Sequence, residues 1–167
     1  LVACDDFGHL HLRKHGVRVV CCVADGGGHQ KPITLQSLNA MLRNLSIVLC
    51  TIVLFQSVVI APAINVSLSV EAAATFLRFI WPIFFVLVGV LSLLGLLLSR
   101  NSKHGRAVNL LTLACMFVNW LLVPVINNAM DADDMNTWAA LHITTVGLTL
   151  LSLVFHLIFI LRWSKSP

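Results

Sequence analysis

The residues best placed to do chemistry lie in an apolar run near the end of the sequence. His142, Thr145, Thr149, Ser152 and His156 follow one another at i, i+3, i+7, i+10 and i+14. On a helix that spacing makes one face, and the opposite face is Leu, Val and Phe. A preceding apolar run offers Asn109, Thr112 and Asn119 at similar helical spacing, and an earlier one offers Gln56 and Ser57. Hydroxyls, carboxamides and imidazoles in such runs can join helices by hydrogen bonds, line a polar pocket, relay a proton, or ligate a metal.

Just ahead of this face stands VPVINNAMDADDMNTWAALH, with Asp131, Asp133 and Asp134 inside four residues. A calcium loop starting at Asp131 would need Gly at position 6 and Glu at position 12. Asn136 and His142 stand there instead. The stretch therefore reads as a solvated turn. Its acidic residues, with Asn136 or Thr137, suit the start of the following helix.

The elements that must position these groups follow from composition. Of 167 residues, 58% are hydrophobic and 11% charged, and the mean hydropathy is +0.91. Soluble domains carry about 25% charged residues, so the bilayer is the expected solvent and partner. The net charge of +4 is scattered, which leaves no patch for nucleic acid. No P-loop, GxGxxG or GxSxG is present, and no catalytic residue is assigned.

Four apolar runs, about 45–63, 79–99, 107–127 and 139–161, each match the roughly 20 helical residues that cross a bilayer core. None alternates with period two. The expected fold is an all-α membrane protein, a four-transmembrane-helix bundle occupying residues 41–167. Met41-Leu42-Arg43 resembles the start of a membrane protein. Residues 1–40 are expected to be a non-native or disordered extension. Cys4, His9, His11, His15, Cys21, Cys22 and His29 are zinc-type ligands by residue type. Their spacing matches no zinc module, so no metal is expected. A cleaved signal peptide would explain Arg43 and Ala61-Pro62-Ala63, but the first run is long for that role.

Arg43, then Arg100, Lys103 and Arg106, then Arg162 and Lys165 mark one side of the membrane, and the acidic turn marks the other. The positive-inside rule places both termini in the cytoplasm. The two outward ends resemble each other. At a constant offset of 62, Phe55 matches Phe117, Pro62 matches Pro124, Ile64 matches Ile126 and Asn65 matches Asn127. The chain reads as two helical hairpins in parallel repeat. Pro62 and Pro124 are then equivalent helix-ending or kinking residues. Pro82 would end an amphipathic segment at 69–79, lying along the interface or forming the first turns of the second span.

Ala61-Pro62, Glu71-Ala72 and Pro82 in the first half, with Pro124 to Asn127, Trp138, Leu141-His142 and Thr145 in the second, carry a family likeness. The region 42–162 resembles a bacterial family of small four-helix membrane proteins, domain of unknown function 4149, related to transmembrane protein 205. The sequence departs from that pattern at Ile143, where the family often has Gly, and near Thr149, where it often has Asn. The anthrone-oxygenase-like 1772 group is similar in its Pro-x-x-Asn and Trp-x-x-Leu-His, but its following Arg is missing here. Neither resemblance implies an established chemistry. The first implies a multi-pass protein of a bacterial cytoplasmic (inner) membrane.

The functional expectation is a non-enzymatic binding, transport-accessory or stress-related component with a polar intramembrane pocket near the outer face. Candidate pocket residues are His142, Asn127, Asn119, Thr145, Thr149, His156 and Gln56, with Pro62, Asn65, Pro82 and Pro124 as structural residues at helix ends. Two alternatives stand beside it. One is a haem-binding electron carrier using His142 and His156, which would need a homodimer because no other apolar run carries a histidine. The other is a small channel or exporter, which would need a larger homo-oligomer. The leading expectation for most of the polar stripe is simpler, namely hydrogen bonding between helices.

Overall fold

The computed structural model of the chain describes residues 35–100 and 102–163. The histidines and cysteines at positions 4–29 lie outside these residues. So does most of the segment read as an extension, although Leu35–Ala40 opens the first helix.

The described chain is helical, without strands. It runs α1 (Leu35–Phe55), a π-helical turn (Gln56–Ile60), α2 (Ala61–Ser67), α3 (Val70–Leu98), α4 (Lys103–Asp131) and α5 (Met135–Trp163). The elements from α1 to α2 make one continuous span. The four spans, Ser37–Ser67, Val70–Leu98, Lys103–Asp131 and Met135–Arg162, are each long and apolar enough to cross a membrane. They extend past the apolar runs of the sequence because caps, rather than hydropathy, end them. Ser69 accepts a hydrogen bond from Ala72 N at 3.3 Å, and Ser102 from Gly105 N at 3.1 Å. Each side chain satisfies a backbone donor left free at a helix start.

The acidic stretch is a three-residue connector between α4 and α5. Asp133 takes the left-handed conformation, with φ 58°. Its N–H donates to Met130 O at 3.2 Å, and that of Asp134 to Ala129 O at 3.0 Å. This pairing closes the last carbonyls of α4. Asp134 then caps α5, its carboxylate accepting from Thr137 N at 3.1 Å. A hydrogen bond from the Thr137 side chain, followed by that from its backbone, holds the Asp134 carboxyl below the ordinary aspartate range.

Short connections make an up-and-down bundle. α3 packs extensively on α4, and α4 on α5. α1 closes the ring mainly against α5 and less against α3. One end carries Arg43, Arg100, Lys103, Arg106 and Arg162, and is called the basic end. The other carries Glu71, Asp131, Asp133 and Asp134, and is called the acidic end.

The prolines behave differently from one another. α3 runs unbroken from Val70 through Pro82, so residues 70–79 are its first turns. Pro124 lies inside α4, which continues to Asp131. Pro62 is at the start of α2, directly after the π turn, and α2 ends five residues later. Proline cannot donate to the carbonyl four residues back, and the preceding turn absorbs that defect, with Ala61 N–H bonding to Gln56 O.

The packed core sits in the middle and toward the basic end. Leu49, Cys50, Val53, Phe84, Val88 and Met116 are among its buried residues, and a second cluster joins Leu42, Val108 and Phe159. In the most apolar window of each span, only 17–33% of residues are buried. The outward Leu, Val, Ile and Phe side chains cover far more area than the few hundred Å² of a soluble monomer's apolar patch. Lipid is the solvent that accommodates them.

Candidate functional site

The polar face of α5 splits into two environments. Toward the basic end it is closed. His156 is 2% exposed. Its Nδ1 lies 3.1 Å from Ser46 Oγ on α1, and its Nε2 lies 3.1 Å from Thr112 Oγ1 on α4. In a neutral imidazole one nitrogen donates and the other accepts, so hydroxyls, which can do either, suit both sides. One side chain thus links three helices. Ser46 shares the buried face of α1 with Leu42, Leu49 and Val53, at i−4, i+3 and i+7. That periodicity was available in the sequence, yet Ser46 was not among its candidates.

Near the middle, Asn119 is fully buried on α4. Its Nδ2 donates to Thr149 Oγ1 at 3.0 Å and to Thr145 O at 3.3 Å. Closer to the basic end, α3 and α4 meet at Gly95, where an added Cβ would fall 2.7 Å from Asn109 Cγ. Among the described residues, three buried side-chain polar atoms have no hydrogen-bond partner: Asn119 Oδ1, Asn109 Oδ1 and Gln56 Nε2. Gln56 opens the π turn, a geometry frequent at functional sites.

Toward the acidic end the face opens into a cleft of about 510 Å³. All four spans line it, and the sequence candidates Asn65, Asn127, His142, Thr145 and Thr149 meet there. His142 is exposed. Its ring stacks on Trp138, one helical turn before it, with centroids 5.1 Å apart and planes at 8°. Its backbone carbonyl accepts from Thr145 Oγ1 at 2.8 Å. Asn119 bonds to the two threonines that line the cleft floor, so it supports the cleft from behind. Gln56 and His156 do not line it.

The cleft has a graded lining. Leu77, Trp81, Phe85, Val123, Val146 and Leu150 supply apolar walls, and Trp81 packs on Phe84 and Phe85 at centroid distances of 5.5 and 5.8 Å. Asn65, Asn127, Trp138 and His142 lie nearer the acidic end. Among the described residues, Arg78 is the one Lys, Arg, Asp or Glu of the lining. Its Nη2 reaches Asp131 Oδ1 at 2.5 Å, tying α3 to the end of α4. A charged residue in a membrane span is a functional candidate by default; in the sequence Arg78 stands one residue ahead of the apolar run at 79–99, at the edge of the expected helix, whereas α3 begins at Val70.

The cleft exists because the ring does not close at this end. α1 packs on α5, whereas α2 packs on α3 and makes no comparable contact with α5. The π turn and Pro62 stand where the first span leaves α5.

Among the described residues, no group of three or more His, Cys, Asp and Glu could hold a metal ion. Cys50 and Cys115 are buried free thiols. No family model, no curated protein and no solved structure matches the chain.

Proposed function

We propose that this protein is a non-enzymatic, multi-pass protein of a bacterial cytoplasmic membrane that binds an amphipathic small molecule in the cleft at its acidic end. Four apolar spans support the membrane placement. The cleft itself carries the binding reading. Ligand sites are concave, mostly apolar, about 300–1,000 Å³ in volume, and hold a few convergent polar groups. The cleft meets each condition.

The charge asymmetry of the two ends supports cytoplasmic termini and a cleft mouth at the outer face. The parallel-repeat reading and the likeness to the domain of unknown function 4149 family belong to the same proposal, carried by the positions around Pro62, Asn65, Pro124 and Asn127. The haem alternative draws less support from the geometry, because both ring nitrogens of His156 already face hydroxyl partners.

Trp81 and Trp138 both line the cleft, which makes binding readable by fluorescence. The purified protein, in phosphatidylcholine nanodiscs, is titrated with single-chain amphiphiles brominated in mid-chain: an alcohol, a carboxylic acid and a quaternary amine. Saturable quenching by at least one, lost when Ala74→Phe fills the cleft, is the expected result. Linear quenching by all three, unaltered in the filled variant, would overturn the binding reading.

A further inference from the structure

The shape and charge of the cleft narrow its ligand. Along α5 the lining runs from Trp138 to Leu150, which is ~18 Å at 1.5 Å per residue. A cleft of about 510 Å³ drawn out over that length is elongated rather than round. An elongated apolar cleft suits an extended hydrocarbon chain. The apolar lining, buried Phe85 with the more exposed Val146 and Leu150, suits methylenes, and hydroxyls there are already engaged. Thr149 Oγ1 donates to Thr145 O at 2.9 Å and accepts from Asn119.

Among the described residues, the polar end of the cleft holds a guanidinium and no lining carboxylate. Arg78 has five N–H donors in a planar fork, of which Asp131 engages Nη2. Asp131 is 59% exposed and sits outside the lining, so water and salt screen its charge. The Arg78 side chain is 36% exposed, less than its partner, and it lines the cleft. Arg matches carboxylates with paired hydrogen bonds. Asn65 and Asn127 add carboxamides beside it.

We infer that the cleft takes a long single-chain carboxylic acid, its chain along Trp81, Phe85 and Leu150 and its carboxylate on Arg78, with Asp131 as the resident counter-ion it competes with. This rests on the binding reading above, but it fails separately. A chain-only site would hold the alcohol as well as the acid.

The test uses the nanodisc titration in a Trp120→Phe, Trp163→Phe background, so that only Trp81 and Trp138 report. Affinity is read against probe mole fraction in the bilayer. The acid is expected to bind at least ~10-fold more tightly than the alcohol or the amine, the worth of a charge-assisted pair. Arg78→Gln should remove that margin while leaving the alcohol within about twofold. Asp131→Asn should tighten the acid by about threefold and leave the alcohol unchanged. The opposite signs of these two variants cannot come from misfolding, since both break the same ion pair.

Equal binding of acid and alcohol, or an Arg78→Gln variant with its margin intact, overturns the carboxylate assignment and leaves a chain-only cleft. Tighter binding of brominated phosphatidylglycerol than of the acid overturns the single-chain assignment. The absence of saturable quenching by any probe overturns the underlying binding reading instead.

Discussion

His142 and His156 lie on one face of one helix, yet one is exposed beside a stacked tryptophan and the other is 2% exposed between two hydroxyls. Their surroundings differ because their neighbours differ. At the basic end α1 stays against α5 and delivers Ser46. At the acidic end the first span has passed its π turn and Pro62, and α2 lies by α3 instead. The same kinds of residue therefore serve as joints at one end and as a lining at the other. A polar stripe on a membrane helix is not one feature with one role. What decides its role is whether the adjacent helix stays in contact.

The largest expected effect tests that contrast directly. His156→Ala leaves a void and strands the hydroxyls of Ser46 and Thr112. Two interhelical hydrogen bonds at ~1 kcal/mol or less each, plus a cavity, amount to about 2–3 kcal/mol. His142→Ala should cost below ~0.5 kcal/mol, like other substitutions at exposed positions. Thermal unfolding of the two variants in the same detergent compares them. Similar losses would break the distinction between a closed and an open end.

Glycines sharpen the comparison at the next level. Gly95 lies on α3 against α4, where an added Cβ would run into the Asn109 carboxamide. Gly95→Ala must push that carboxamide aside and should cost about 1–2 kcal/mol, as overpacking does. Gly147, on the exposed side of α5, has nothing within 4 Å of an added Cβ. Gly147→Ala should stabilise the protein by up to ~1 kcal/mol through helix propensity alone. Unfolding midpoints that move in the same direction for both would mean that the Gly95 contact is slack.

Much of this organisation was legible in the sequence. The four spans followed from apolar run length, and the single polar face of His142, Thr145, Thr149, Ser152 and His156 from helical periodicity, but the pocket expected in the sequence also took in His156 and Gln56, which do not line the cleft, and set Asn65 apart as a helix-end residue. The closure around His156 was not legible. Its partners, Ser46 and Thr112, stand 110 and 44 positions away, and a one-dimensional pattern does not state which helices touch. The π turn escaped for a related reason. Gln56–Ile60 reads as an ordinary apolar helix, and only the missing N–H of Pro62 hinted at a defect. The offset of 62 matched Pro62 with Pro124, but a short α2 follows the first and a continuing α4 surrounds the second. Similar residues were placed in different helical contexts, so the cleft is asymmetric.

The smallest expected effect concerns what anchors the open end. With α2 away from α5, the α4–α5 turn is a principal tie there, and Asp134 is its cap. Its carboxyl is lowered from 3.8, chiefly by the hydrogen bonds from Thr137. A carboxylate with a depressed folded-state value adds stability that is present above its unfolded value. That increment is lost as the pH falls through the folded value. The unfolding temperature should therefore drop slightly below pH ~3.8 for reasons that include this cap. Asn caps about as well as Asp but does not titrate. Asp134→Asn should match the parent protein near neutrality and lose less on acidification. A variant whose acid loss equals the parent's would assign that loss to other carboxylates. It would also leave the backbone bonds from Asp133 to Met130 and from Asp134 to Ala129, rather than the cap, as what holds α5 in place where the bundle is open.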